Sequence, residues 1–200
     1  MVETDRRRIR GEKARAGVLA HSARIASVEG LEGLTFGRLA TEAGVAKGNI
    51  QVLFGDKEAL QLATLESAVD LYRLEVVAPA MALASPGERL QALVKGWFRF
   101  VQGRSLPGGC FLTAASNEYR TRPGAIRDRV NQHRSEARER FETLAREAVA
   151  AKELPASTDP VRLAFDLLAY QAIANVAASM GDEAQFTMAR ERSLEIVSAK

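Results

Sequence analysis

Between Thr35 and Leu60 the chain reads TFGRLATEAGVAKGNIQVLFGDKEAL, and no other stretch constrains the fold as tightly. Thr35 is a helix-capping residue, and Phe36, Leu39, Ala40 and Ala43 are apolar at helical spacing. Gly44 stands where the backbone must turn sharply, after which Val45, Ile50, Leu53 and Phe54 resume the helical period. Two helices this short cannot stand alone, because nucleation is costly and each buries only a few apolar residues. They need flanking helices, and the outer face of the second is left with Lys47, Gly48, Asn49, Gln51 and Val52. A short helix, a glycine turn and a second short helix are the layout of a helix-turn-helix, whose second helix enters the major groove of DNA.

Two hundred residues, 46% of them hydrophobic, are enough for a sizeable core in one large or two small domains. No stretch alternates Val, Ile and Thr between hairpin turns, so the expected fold is all-α. The net charge of +3 is modest but uneven: residues 1 to 57 hold 10 Lys and Arg against 7 Asp and Glu, which leaves 18 against 18 beyond them. A basic excess confined to the segment with the helix-turn-helix suits a phosphate backbone, since Lys and Arg displace condensed counterions. One Cys excludes an internal disulfide framework, and no apolar leader with a cleavage site follows the start, so the cytoplasm is the expected location. The most apolar run, Leu167 to Met180, is interrupted by Gln171, Asn175 and Ser179 and is shorter than the roughly 20 residues of a membrane span, so no membrane partner is expected.

About nine helices are predicted. The first runs from about Arg8 to Glu29, closed by Gly30, with Val18, Ser22 and Ile25 inward. Its basic start, DRRRIRGEKAR, is either a solvated tail or an arm on phosphates or in a minor groove. Asp56 caps a fourth helix from Lys57 to about Ala78, which Pro79 should end or kink. Ser85, Pro86 and Glu88 form a capping box for a fifth helix that ends near Gly103, and SLPGG separates it from a sixth between Cys110 and about Tyr119. On a long seventh helix, Ile126, Val130, His133, Ala137, Phe141, Leu144 and Ala148 form one apolar stripe, with Glu136–Arg140 and Glu142–Arg146 expected to pair outside it. Asp159 and Pro160 open an eighth helix, apolar nearly all round as far as Met180; Gly181 ends it, and Asp182 caps a ninth with Phe186, Ala189, Leu194 and Val197 inward.

A helix apolar on all sides must be covered on all sides. The further cover is either the same helix pair of a second copy, forming a homodimer through helices eight and nine with Ala172, Val176, Met180, Phe186, Leu194 and Val197 in the interface, or the rest of the monomer core. Candidates to line a small-molecule pocket are Trp97, Phe100, Val101, Cys110, Phe111, Val130, His133, Phe165, Leu168, Gln171 and Asn175. His133, Gln171 and Asn175 lie on apolar faces, so each needs a hydrogen-bonding partner once buried: another side chain, water, the other subunit or a ligand. Cys110 has no second Cys to resolve it and reads as a small buried hydrophobe rather than a redox sensor. The chain offers no metal-ligand set, no phosphate-binding glycine loop and no defensible Ser-His-Asp spacing, so no metal, no cofactor and no enzymatic activity are expected.

From Val18 to Leu60 the chain resembles the N-terminal DNA-binding domain of the TetR (tetracycline-repressor-like) family of bacterial transcription regulators. The matching points are the first-helix pattern ending at Gly30, the run GLTF, LATEAGVAKGNI with its small turn residues, and Phe54 followed by KEAL. The resemblance implies a three-helix DNA-binding domain, residues 1–56, and a helical ligand-binding and dimerisation domain, residues 57–200. It implies a repressor whose partners are a double-stranded, pseudo-palindromic operator and an unidentified small-molecule effector that changes the spacing of the two reading heads. Lys57 is then a phosphate contact by family likeness, and Thr35 and Arg38 join it in setting register on the backbone. Lys47, Gly48, Asn49, Gln51 and Val52 are the residues that read or line base edges. Family members usually carry a Tyr three residues before the Phe, whereas this chain has Gln51, which can pair with adenine, and Val52, which can touch a thymine methyl. That departure keeps a second reading open, a helix-turn-helix adaptor or a family member without DNA binding.

Overall fold

A computed structural model describes the backbone of residues 2–198 and the side chains of residues 11–198. In chain order the helices are α1 (Val2–Glu29), α2 (Phe36–Ala43), α3 (Lys47–Phe54), α4 (Lys57–Tyr72), α5 (Pro86–Gln102), α6 (Phe111–Glu118), α7 (Ala125–Ala150), α8 (Pro160–Met180) and α9 (Glu183–Ser198). No strand occurs among the described residues, so the fold is all-α as the sequence predicts.

Five helix starts, those of α2, α4, α5, α8 and α9, are written in capping side chains. Thr35 Oγ1 accepts from the Arg38 N–H at 3.1 Å, and Asp56 Oδ1 accepts from Ala59 at 2.8 Å. Both halves of the Ser85–Glu88 capping box form, and Asp159 and Asp182 cap α8 and α9. Gly44, at φ +64°, takes the left-handed conformation that turns α2 into α3.

Two boundaries differ from expectation. The backbone of α1 is helical from Val2, six residues before the expected start at Arg8, so the whole basic run is helical. The side chains of residues 1–10, with Arg6, Arg7, Arg8 and Arg10, lie outside the described residues, and so does the choice between tail and arm. Helix α4 runs past the predicted stop at Ala78, through a π-helical turn, Arg73–Val77, and a last α turn, Ala78–Met81. The Ala78 N–H bonds back five residues to the Arg73 carbonyl, and this slip in register leaves Pro79 in the first turn of the new segment, where a missing N–H costs little.

Packing divides the side chains into two cores. Val18, Leu19, Ile25, Leu34, Leu39, Ala40, Ile50, Phe54 and Leu60 form the smaller, which holds α2 and α3 against α1 and the start of α4. The larger is built from the later helices, and Ala23, Ala26 and Leu31 of the N-terminal segment enter it. Between them the buried hydroxyls of Ser22 and Thr64 hydrogen-bond, fixing α1 to α4. The loop before α6 also presses on α1. Gly108 donates its N–H to Ser27 Oγ at 3.1 Å, and a Cβ there would run into the Ser27 carbonyl oxygen.

The apolar stripe of α7 faces the larger core, but its charged flank does not form the two expected pairs. Glu136 turns to Arg73 of the π turn at 3.0 Å and Glu142 to Arg138 at 3.5 Å, so the Glu136–Arg140 and Glu142–Arg146 pairs do not form. For Glu136 the cause is a neighbouring segment offering its own cation, whereas Glu142 takes the arginine one turn before it on α7 instead of the one after. His133, 3% exposed, lies between two carboxylates, with Nε2 2.9 Å from Glu66 Oε1 and Nδ1 3.3 Å from Glu136 Oε2. Arg129 forks onto Glu66 through Nε at 2.6 Å and a second nitrogen at 2.8 Å, which ties α7 to α4. Those Arg129 hydrogen bonds, helped by His133 and opposed by partial burial, pull the Glu66 carboxyl from its ordinary 4.5 down to about 2.

Helix α8 has 21 residues, longer than the apolar run read from the sequence, and by length and composition alone it could cross a membrane. In this fold Leu163, Ala164, Leu167, Ala174 and Ala177 are buried against protein. Of the six predicted interface residues, Phe186 and Val197 are buried inside the monomer and Leu194 is half-buried, with Phe186 edge-on to Phe98 at 5.5 Å. Helix α9 therefore spends its apolar face on its own chain. Ala172, Val176 and Met180 lie on the surface, in line with exposed Val161 and Phe165 on α8 and near exposed Ile173.

Gly108→Ala is expected to lower stability by about 1–3 kcal/mol, because backbone blocks the added methyl; a urea midpoint equal to that of the parent would show that the loop can retreat. Glu66 is charged in the fold down to about pH 2 but, unfolded, takes up its proton near 4.5, so its contribution is present above 4.5 and lost as pH falls toward 2. Glu66→Gln should therefore unfold more easily at pH 7 and lose less stability between pH 4.5 and 2 than the parent; an equally steep acid loss in the variant would assign that loss to other carboxylates.

Candidate nucleic-acid interface and ligand cavity

Helix α3 has two unlike faces. Ile50 is fully buried and Phe54 nearly so, while Lys47, Gly48, Asn49 and Gln51 are exposed and Val52 is 88% exposed. A valine held out in solvent does nothing for the core, and the polar residues around it are exposed as well. Lys47 makes no ion pair among the described residues.

The residues expected to set register are present at the rim, each already occupied. Thr35 Oγ1 is spent on capping α2. Arg38 reaches Glu29 at 3.1 Å and Glu42 at 3.3 Å, and Glu29 foremost, with Glu42, raises its pKa. The Lys57 ammonium donates to the Glu32 carbonyl at 2.9 Å and lies 3.3 Å from the Glu32 carboxylate. On a duplex, Arg38 and Lys57 would exchange these acceptors for phosphate oxygens. Arg15 of α1, the last residue of the basic run DRRRIRGEKAR, lies with its guanidinium 5.0 Å from the Phe54 ring centroid, beside α3. No spacing along α1 signals that contact, because it crosses between helices.

A second cluster joins this unit to the later helices. Glu118, the last residue of α6, accepts from the Leu31 N–H at 2.9 Å and the Glu32 N–H at 2.8 Å, around Gly30 at φ +80°. A Cβ on Gly30 would meet Glu118 Oε1 at 2.8 Å, so a glycine is needed there for space as well as for backbone angle. The Tyr119 hydroxyl donates to Glu32 Oε1 at 2.7 Å, and the Gln61 amide donates to the Leu31 carbonyl at 2.8 Å. The Tyr119 bond is the main reason the Glu32 carboxyl is held below its usual range, while burial and Glu32 push the Tyr119 hydroxyl up. Glu32 and Glu118 stand 86 residues apart, so local sequence patterns could not pair them.

A cavity of about 620 Å³ opens between α4, α5, α6, α7 and α8. Among its walls are Tyr72, Trp97, Phe100, Cys110, Phe111, His133, Phe141, Phe165, Leu168 and Gln171. Three of the predicted lining residues lie elsewhere. Val101 and Val130 are buried in the larger core, and Asn175 Oδ1 accepts the Cys110 N–H at 2.7 Å, locking the turn that starts α6. His133 borders the cavity, but both its ring nitrogens are engaged by Glu66 and Glu136. Gln171 is the exception: it is buried on the cavity wall, and its Nε2 has no hydrogen-bond partner. The sequence reading missed Tyr72, which packs edge-on to Phe100 at 5.7 Å, because its helix reads there as an ordinary connector.

Comparison with known proteins agrees with both halves. Residues 18–64 match the family described as bacterial regulatory proteins, tetR family, and residues 86–192 match the tetracyclin repressor-like C-terminal domain. The HTH-type transcriptional regulator BetI of Rhizobium meliloti (strain 1021) is 36% identical over 76 residues, 38% of this chain and 37% of that protein, so the chain matches little more than a third of that relative's length. A TetR transcriptional regulator from Chloroflexus aurantiacus J-10-FL has the same fold with a TM-score of 0.85 at 23% identity, covering 95% of this chain and 97% of that one. A TetR-family regulator from Cytophaga hutchinsonii gives 0.82 at 21%, covering 94% of each. AibR, solved in complex with isovaleryl coenzyme A and operator DNA, gives 0.65 at 20%, covering 81% of this chain and 85% of that one. With the C-terminal match alone spanning more than half its length and the N-terminal match covering the helix-turn-helix, the chain belongs to the TetR family of bacterial transcriptional regulators.

Proposed function

We propose that this chain is a homodimeric repressor that grips a pseudo-palindromic operator with the outer faces of two α3 helices and releases it when a small molecule enters the cavity. The observation that carries this reading is the division of α3 between buried Ile50 and Phe54 and an uncovered face of Lys47, Gly48, Asn49, Gln51 and Val52. On a duplex, Gln51 and Asn49 are placed to bond base edges and Val52 to meet a thymine methyl, while Lys57, Arg38 and Thr35 hold the backbone. AibR, of similar fold, was crystallised with an acyl-coenzyme A and operator DNA together, which supports an effector-responsive reading of this chain. The division at residues 56 and 57 is retained as the functional boundary, although Leu60 packs in the smaller core, so that the first turn of α4 serves both units. A regulator of this kind works in the cytoplasm, where the operator is.

The route from cavity to DNA runs along α6. Phe111, Leu112, Thr113 and Ser116 border the cavity, and Glu118 at the same helix's end holds the turn between α1 and α2. A ligand that shifts α6 strains those two hydrogen bonds, and it releases DNA only through its differential affinity for the two arrangements. A coupling of about 1–3 kcal/mol weakens operator binding roughly 5- to 150-fold. The second copy is placed on the exposed apolar line of α8, Val161, Phe165, Ala172, Val176 and Met180, extended by exposed Met188 of α9.

Titrating the purified chain against its own promoter fragment over a salt series tests the reading: site-specific binding that falls steeply with salt supports it, and salt-insensitive or absent binding favours an adaptor. Lys57→Ala should weaken binding about equally on every sequence, whereas Gln51→Ala should relax preference at one or two base pairs; unchanged affinity in both would remove α3 as the reader. Val176→Glu should convert the dimer to monomer in sedimentation, and an unchanged sedimentation coefficient would move the interface off α8.

A further inference from the structure

The cavity walls are chemically uneven. The chain holds one Trp, three Tyr and eight Phe, and half of those rings, Tyr72, Trp97, Phe100, Phe111, Phe141 and Phe165, line this one space. The ionised lining residues, Arg73, Arg134, Glu136, Arg138 and Arg140, all belong to the α4–α7 side, where Arg73 and Glu136 already pair at 3.0 Å. The α8 side carries Val161, Phe165, Leu168 and two alanines, with Gln171 as its one hydrogen-bonding side chain. Gln171 is 6% exposed, and its Nε2 is buried without an acceptor. Across the cavity the Tyr72 hydroxyl also makes no hydrogen bond among the described residues, and burial pushes its pKa up, keeping it a neutral donor.

An amide buried with an unmet donor is a standing cost, and a Leu of similar volume would remove it. Water is a poor remedy beside Leu168 and Ala172, since an ordered water needs two to four polar partners of its own. Turning the amide about its last torsion exchanges its N and O ends and brings the NH2 to the cavity, where a ligand oxygen supplies the acceptor. A charged group at that wall would be desolvated against a helix that offers it no ionised side chain, the arginines of the lining lying on the α4–α7 side.

We propose that the cavity takes an uncharged aromatic ligand bearing a carbonyl group, and that Gln171 selects it by donating a hydrogen bond to that oxygen while the ring stacks among the aromatic walls. The proposal rests on the reading of this cavity as the effector site. It is tested without DNA, so that its failure is separable from failure of operator binding, which is measured on the same preparation.

The full-length protein is titrated calorimetrically with three probes of one shape: 2-acetylnaphthalene, 2-ethylnaphthalene and 2-naphthoate. The ketone should bind about 5- to 10-fold tighter than the hydrocarbon, with the carboxylate weakest. Gln171→Leu and Gln171→Met should each abolish the preference for the ketone, leave the hydrocarbon's affinity unchanged or improved, and raise the thermal midpoint of the free protein. Equal binding of ketone and hydrocarbon, tightest binding of the carboxylate, a preference that survives in both variants, or no binding of the ketone up to its solubility would each overturn the proposal.

Discussion

Helix α3 is eight residues long and is held in place by what Ile50 and Phe54 bury. A helix of that length has almost no stability of its own, so its position is set by Leu34, Leu39, Val18 and Leu60, which close the small core around those two side chains. Everything proposed for the molecule depends on that anchoring. Because the inner face is pinned, the outer face is presented at a constant angle, and side chains as unlike as Lys47, Asn49, Gln51 and Val52 share a surface with no role in packing.

The same small core cannot move freely relative to the rest of the chain. Leu31 packs in the larger core while Leu34, three residues later, packs in the smaller. The turn carrying both is gripped from one side by Glu118 and from the other by Gln61 and Lys57. Glu32 gathers Tyr119, Gln61 and Lys57 onto one carboxylate, so a displacement of α6 or α4 reaches α2 and α3 through charge-assisted hydrogen bonds rather than through a flexible linker. The continuous α4, with its π turn in place of a break at Pro79, strengthens that mechanical link.

What the sequence made legible was local. Caps at Thr35, Asp56, Ser85, Asp159 and Asp182, the turn at Gly44 and the stripe on α7 are properties of neighbouring residues, and each occurs where spacing places it. Apart from helix boundaries and the choice of Glu142 between two arginines of its own helix, what was missed was choices between partners distant in sequence. Glu136 chose Arg73 over Arg140, Asn175 chose the Cys110 backbone over the cavity, and Phe186 and Val197 went inward because α9 had its own chain to cover. His133, Gln171 and Asn175 looked alike as polar residues on apolar faces, and only the fold separates the two with partners from the one without. The outward face of α3 was readable because a two-sided short helix leaves few alternatives; the clamp of Glu118 on the turn after α1 was not, since a carboxylate at a helix end carries no address.

Selection of bound fragments from random duplexes by the purified protein, followed by sequencing, tests whether paired α3 helices read DNA. Two copies of α3 related by a two-fold axis predict an inverted repeat whose half-sites are separated by one helical turn or a multiple of it. Enrichment of a single unrepeated site, or of no sequence at all, would show that paired α3 helices do not read DNA.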